Sequence, residues 1–77
     1  MAMTHLSDRI TVDPDVCFGK PCIRGTRIRV SDVLDNLASG ATALEIVDDF
    51  PELCVADINA ALSYAAQIAN RPVIIAA

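Results

Sequence analysis

Gly40, Pro51 and Pro72 cut the second half of this chain into three short pieces. Proline has no amide to give a helix, and glycine readily takes the left-handed turn that ends one. No long helix can pass these stops, so the apolar pattern between them must resolve into three short helices. The first is predicted over 31–39. Ser31 is its expected N-cap, Asp32 lies in the first turn where the helix dipole favours an anion, and Val33, Leu34, Leu37 and Ala38 share a stripe. Gly40 is the expected C-terminal stop. The second helix is predicted over 42–50, opened by Thr42-x-x-Glu45, a capping box, with Ala43, Ile46, Val47 and Phe50 on its apolar face. The third is predicted over 55–69. Its expected buried stripe is Ile58, Ala61, Leu62, Ala65 and Ile68, with Asp57, Asn59, Ser63, Gln67 and Asn70 outward. Cys54 stands where Ser or Thr would cap that helix better, a deficit of about 1 kcal/mol.

Residues 10–30 read as extended chain. Ile10-Thr11-Val12 is β-prone and is stopped by Asp13-Pro14, and Gly19-Lys20-Pro21 marks a second turn. Alternation over Arg27 to Val30 places Ile28 and Val30 on one face and Arg27 and Arg29 on the other. The expected fold is therefore mainly α: a three-helix bundle of helix-turn-helix type, preceded by a short β-hairpin arm. Residues 1–8 are expected to be a flexible N-terminus, 9–70 a single domain, and 71–77 an apolar tail.

Charge is distributed unevenly along this plan. Residues 20–29 carry Lys20, Arg24, Arg27 and Arg29 with no acid, whereas residues 30–70 carry seven acids and no base. The net charge of −4 conceals a compact cationic patch on the arm. The overall balance argues against binding nucleic acid through bulk charge, since such domains usually have a pI above about 9. The patch itself has three readings. It contacts phosphates, or it enters an acidic pocket of a partner protein, where Arg pairs bidentately with carboxylates, or it neutralises the chain's own acids.

The core is lean. Of the 77 residues twelve are Ala, three are aromatic and none is Trp. Small Ala-rich cores bury little apolar area, so a homodimer or a partner is expected to supplement this one. The tail Val73-Ile74-Ile75 is strongly β-prone and is expected to be covered, by its own domain, a dimer mate or a partner, with Arg71 beside it. No apolar run is long enough to span a membrane and no leader-like segment opens the chain, so a cytoplasmic location is expected.

No constellation suggests chemistry. Cys17-x4-Cys22 lacks zinc-knuckle spacing, His5 is the one histidine, and Asp48 and Asp49 point about 100° apart on a helix. The turns at Gly19 and Gly25 do not match a phosphate loop. No catalytic residue, metal or cofactor is expected. The second and third helices have the frame of a helix-turn-helix unit, yet the third offers no Lys or Arg to phosphates. If DNA is bound, the arm is the better contact.

The run Gly19-Lys20-Pro21-Cys22-Ile23-Arg24-Gly25-Thr26-Arg27-Ile28 resembles the signature Gly-Lys-Pro-x-Ile-x-Gly-Thr-Arg-Ile of a bacterial and archaeal domain-of-unknown-function family. The similarity continues through Glu45-Ile46, Phe50-Pro51-x-Leu53 and the helix from Asp57 to Ala66, covering about residues 9 to 67. The resemblance implies a homeodomain-like fold and a role as a VapB-type antitoxin. Such a protein binds and neutralises a PIN-like ribonuclease toxin and represses its own promoter. It implies a PIN-like toxin and operator DNA as partners. An Arg of this chain (Arg24, Arg27, Arg29 or Arg71) would occupy the metal position of the acidic nuclease site, and Val73, Ile74 and Ile75 would add a strand to the nuclease or to a dimer mate. The alternative is a DNA-binding regulator with no toxin. Cys54 and the apolar tail depart from the family's pattern.

Overall fold

The computed structural model describes residues 4–72. Its first layer is a small antiparallel sheet of three strands, β1 (Thr4–His5), β2 (Ile10–Val12) and β3 (Cys22–Ile23), in the order β1-β2-β3. Ile10 pairs with Ile23 across β2 and β3. Both are almost wholly buried, so the hairpin arm supplies one wall of the core rather than hanging from it. The Thr4–His5 segment, expected within a flexible end, pairs instead with Thr11 and Val12. The Leu6 amide donates to the Ile10 carbonyl at 2.8 Å and closes the turn that brings the two strands together.

The signature run forms the hairpin tip. Gly25 has a φ of 78°, which favours glycine. The Thr26 hydroxyl donates to the Ile23 carbonyl at 2.8 Å and accepts from the Ile28 amide at 3.0 Å. Arg29 pairs with Cys22 in a single bridge, so the expected extended run over Arg27 to Val30 is cut short by a helix.

That helix, α1 (Val30–Ala38), begins one residue earlier than the sequence predicts, and Ser31 does not cap it. The reason is tertiary. The Pro21 carbonyl accepts from the Val30 amide at 2.9 Å, so the arm satisfies a donor that a cap cannot reach. Its other end follows local rules. Gly40, at φ 101°, lets its own amide reach the Leu37 carbonyl and the Ala41 amide reach that of Asn36, both at 3.0 Å, a Schellman motif.

Helix α2 (Ala43–Asp49) opens on the expected capping box: the Thr42 amide donates to Glu45 Oε1 at 2.9 Å and the Glu45 amide to Thr42 Oγ1 at 3.1 Å. Helix α3 (Val55–Ala69) packs against both other helices. The chain is thus mainly helical, three helices behind a short antiparallel hairpin. Ile10, Ile23, Val30, Val33, Ile46, Leu53, Ile58 and Ala61 form one core. Burying a side chain of Ile or Leu size stabilises by roughly 1.5–3 kcal/mol.

Two expectations for α3 need correction. Leu62 is 47% exposed and Ile68 43%. Ile58 and Ala61 define the buried face, Leu62 is turned off it, and Ile68 lies near the helix end beyond the core. Asp57 is buried instead of outward, because Arg9 reaches it from the loop between β1 and β2.

Candidate binding surface

The β2–β3 connection holds the sharpest departure from ordinary backbone. Cys17 and Phe18 both lie at positive φ, 52° and 58°, followed by Gly19 at 78°. The left-handed region costs a non-glycine residue roughly 1–2 kcal/mol. Two such residues in succession persist only when their surroundings fix them. Two contacts do so here: the Cys17 thiol donates to the Arg27 carbonyl at 3.1 Å, and the Lys20 amide donates to the Cys17 carbonyl at 3.1 Å. The outcome is that Phe18 stands 97% exposed. Phe50 and Tyr64 are both half-buried against the core.

The same thiol contact ties the Phe18 turn, which Lys20 closes, to the hairpin tip, where Arg24 and Arg27 lie. Lys20, Arg24 and Arg27 are exposed. Among the described residues the ion pairs are Arg9–Asp57 and Arg29–Asp32, and these three side chains enter neither. Arg29 differs. Its Nε and Nη2 donate to the two oxygens of Asp32 at 3.1 and 3.2 Å, so its charge is already answered in the first turn of α1. The arm therefore presents three available cations out of the four expected. Each borders open space. Arg27 lines a groove of about 460 Å³ with Asp13, Thr26 and Glu52, and Lys20 lies at a smaller one of about 270 Å³ beside Leu34 and Tyr64; Arg24 is exposed at the hairpin tip. Arg71 is exposed past the end of α3. Val73, Ile74 and Ile75 lie outside the described residues.

Sequence reasoning missed Phe18 and Arg9. A signal for Phe18 was present: it falls between two turn markers, Asp13-Pro14 and Gly19-Lys20-Pro21, with no periodic apolar neighbour to pack on. Arg9 had none, because its partner is 48 residues away.

Cys22 lies beneath the arm. Burial, reinforced by the neighbouring Cys17 thiol, pushes its thiol up to about 11. Such a group stays protonated at neutral pH and is a poor nucleophile. Among the described residues no cluster of His, Cys, Asp and Glu could hold a metal ion, and no helix is long and apolar enough to cross a membrane. The arm thus brings one exposed aromatic ring, Phe18, and three exposed cations, Lys20, Arg24 and Arg27, to the surface.

A protein from Anabaena variabilis, of the family described as DUF433 and known from its crystal structure, superposes with a TM-score of 0.75 at 35% identity, covering 80% of this chain and 61% of that one. An uncharacterized protein of Sinorhizobium fredii, y4eO, is 36% identical over 56 residues, 73% of this chain. The match occupies 25% of that relative's length. The family model for proteins of unknown function DUF433 matches residues 10–65, from the first core strand through most of α3. The chain belongs to the DUF433 family.

Proposed function

We propose that this domain is a non-catalytic binding module of the antitoxin kind, which grips the acidic site of a PIN-like ribonuclease with Lys20, Arg24 and Arg27 and seats Phe18 beside it. One observation carries the reading: three outward cations, in no ion pair among the described residues, share an arm with a ring held bare at a cost in backbone strain. Arg is well suited to such a site, since its planar fork matches a carboxylate pair. A guanidinium in a carboxylate-lined centre would stand where the divalent cation binds, and the nuclease would stay idle. Phe18 would supply apolar area at the centre of the contact, with the cations around it.

Co-expression with the product of the neighbouring gene, followed by a ribonuclease assay, tests this. The reading expects a stable complex, suppressed cleavage, and relief of suppression by the triple variant Lys20→Ala/Arg24→Ala/Arg27→Ala. Full inhibition by that variant would overturn it.

The α2–α3 pair favours a second reading, an operator-binding regulator. The outward side of α3 carries no Lys or Arg, so affinity for DNA would fall to the arm. Three phosphate contacts imply a slope of about −2.7 in log K against log salt. A slope near zero, or no binding at micromolar protein, excludes this reading.

A further inference from the structure

The Phe18 turn is bracketed by two thiols, Cys17 and Cys22, with Phe18, Gly19, Lys20 and Pro21 between them. Cys17 is half-buried, Cys22 is buried yet lies outside the core cluster, and both are free cysteines. Each is engaged at the turn itself. The Cys17 thiol donates to the Arg27 carbonyl at 3.1 Å and the Cys22 thiol to the Lys20 carbonyl at 3.5 Å. Strand register brings them to one side of the arm. Cys22 faces Arg29 in the single bridge, flanked by bonds from the Ile23 amide to the Ile28 carbonyl and from the Val30 amide to the Pro21 carbonyl, both at 2.9 Å. That is the close, non-hydrogen-bonded kind of antiparallel pair, so the Cys22 side chain rises beside the segment that holds the Cys17 sulfur. The two thiols are near enough to act on one another by hydrogen bonding and by charge. Cys54 stands apart, its thiol between Arg9 and Asp57 at the start of α3.

We propose that Cys17 and Cys22 are a modification site: a thiol pair that closes to a disulfide by exchange with a small-molecule disulfide such as oxidised glutathione, and so re-fastens the Phe18 turn. The more accessible Cys17 reacts first. Its thiol gives a proton to solvent, its sulfur attacks one sulfur of the small disulfide, and one small thiolate leaves and is protonated. Cys17 then carries the other half as a mixed disulfide. Burial is the main reason that the Cys22 thiol is pushed up to about 11, and the Cys17 thiol adds to the rise. That addition ends once Cys17 is capped, which eases loss of the Cys22 proton in the step that needs it. The Cys22 sulfur attacks the Cys17 sulfur, and the second small thiolate leaves and is protonated. Two protein thiols are thereby oxidised to one disulfide, and one small disulfide is reduced to two thiols. Burial shields Cys22 from outside reagents but not from a sulfur already beside it. Closing the ring needs little new order, because Cys17 and Phe18 already turn back at positive φ and the Lys20 amide already holds the Cys17 carbonyl. The consequence falls on the displayed groups. A disulfide sulfur has no proton to donate, so the Arg27 carbonyl loses its thiol and the hairpin tip loses its tie to the turn. The turn, with Phe18 and Lys20, is fastened to β3 instead.

The full chain carrying Cys54→Ser tests this, since Ser is a good N-cap and any disulfide within that chain must join Cys17 to Cys22. It is held without oxygen in a series of reduced and oxidised glutathione mixtures, trapped by alkylation and weighed. The expected product is a monomeric chain lighter by two hydrogens, free of glutathione, that regains both thiols in dithiothreitol. Chymotryptic cleavage after the exposed Phe18 should leave two fragments joined until reductant is added. Cys17→Ser in the same background, whose hydroxyl can still reach the Arg27 carbonyl, should give no such product. Tryptic cleavage after Arg24 and Arg27 should be at least threefold faster in the disulfide form than in the thiol form. A chain that keeps both thiols across the series overturns the proposal. So does one that stops at glutathione on Cys17, one that oxidises only to linked copies, or equal tryptic cleavage of the two forms. Should Cys54→Ser prove poorly folded by circular dichroism, peptide mapping of the oxidised native chain decides: a link between Cys17 and Cys22 supports the proposal, and a link from either to Cys54 overturns it.

Discussion

The Arg9 guanidinium lies 3.0 Å from the Asp57 carboxylate, joining the loop that leads into β2 to the first turn of α3. Asp57 also accepts from the Cys54 amide at 3.0 Å, so it serves as the reach-back half of a capping box at a helix start that has no Ser or Thr. Burial pushes the Asp57 carboxyl up, but the Cys54 amide, the Arg9 guanidinium and the Cys54 thiol together outweigh it and hold it below its ordinary value.

Replacing Asp57 by Asn should cost about 1–2 kcal/mol, the scale of a lost cap with a charged partner. The effect depends on pH. A carboxyl held low in the folded state stabilises fully above its unfolded value, near pH 4, and that contribution disappears as pH falls through the folded value. Urea midpoints between pH 7 and pH 2 should therefore drop less in Asp57→Asn than in the native chain.

Phe18→Gly should raise stability by roughly 1 kcal/mol, since glycine tolerates φ 58° and the exposed ring gives up almost no packing. If the proposed function holds, the same variant should bind a PIN-like nuclease less well. Thermal melts together with a binding titration check both halves. A destabilised Phe18→Gly would mean that the ring is not bare.

Ile58→Ala empties a fully buried site between the sheet and the helices, and should cost about 2–5 kcal/mol. In a core this small that is a large part of the total, so a sharply lowered denaturant midpoint is expected, or no cooperative transition at all.

Thiol labelling at pH 8 should modify the exposed Cys54 quickly and leave Cys22 untouched until the chain unfolds. Cys22 is both covered and protonated at that pH. Mass mapping of labelled peptides with and without urea reads this directly.

The features legible in the sequence were those settled within a few residues. The capping box of α2 and the glycine stop at Gly40 depend on neighbours in the chain, and both formed as their residue types dictate. The start of α1 was misread because the Pro21 carbonyl, supplied by the arm, takes the place a Ser31 cap would fill. Asp57 was misplaced because its partner comes from a distant loop. For the surface, the cations were evident from composition, while the pairing of Arg29 with Asp32 and the bare Phe18 follow from backbone geometry that no periodicity encodes.

The most direct test of the account is calorimetric titration of a PIN-like nuclease, the partner proposed above, with the native chain and with Lys20→Ala/Arg24→Ala/Arg27→Ala, at low and at high salt. The cationic arm predicts tight binding that weakens with salt, and at least a hundredfold loss in the triple variant. Equal affinity for both proteins at both salt concentrations would contradict it.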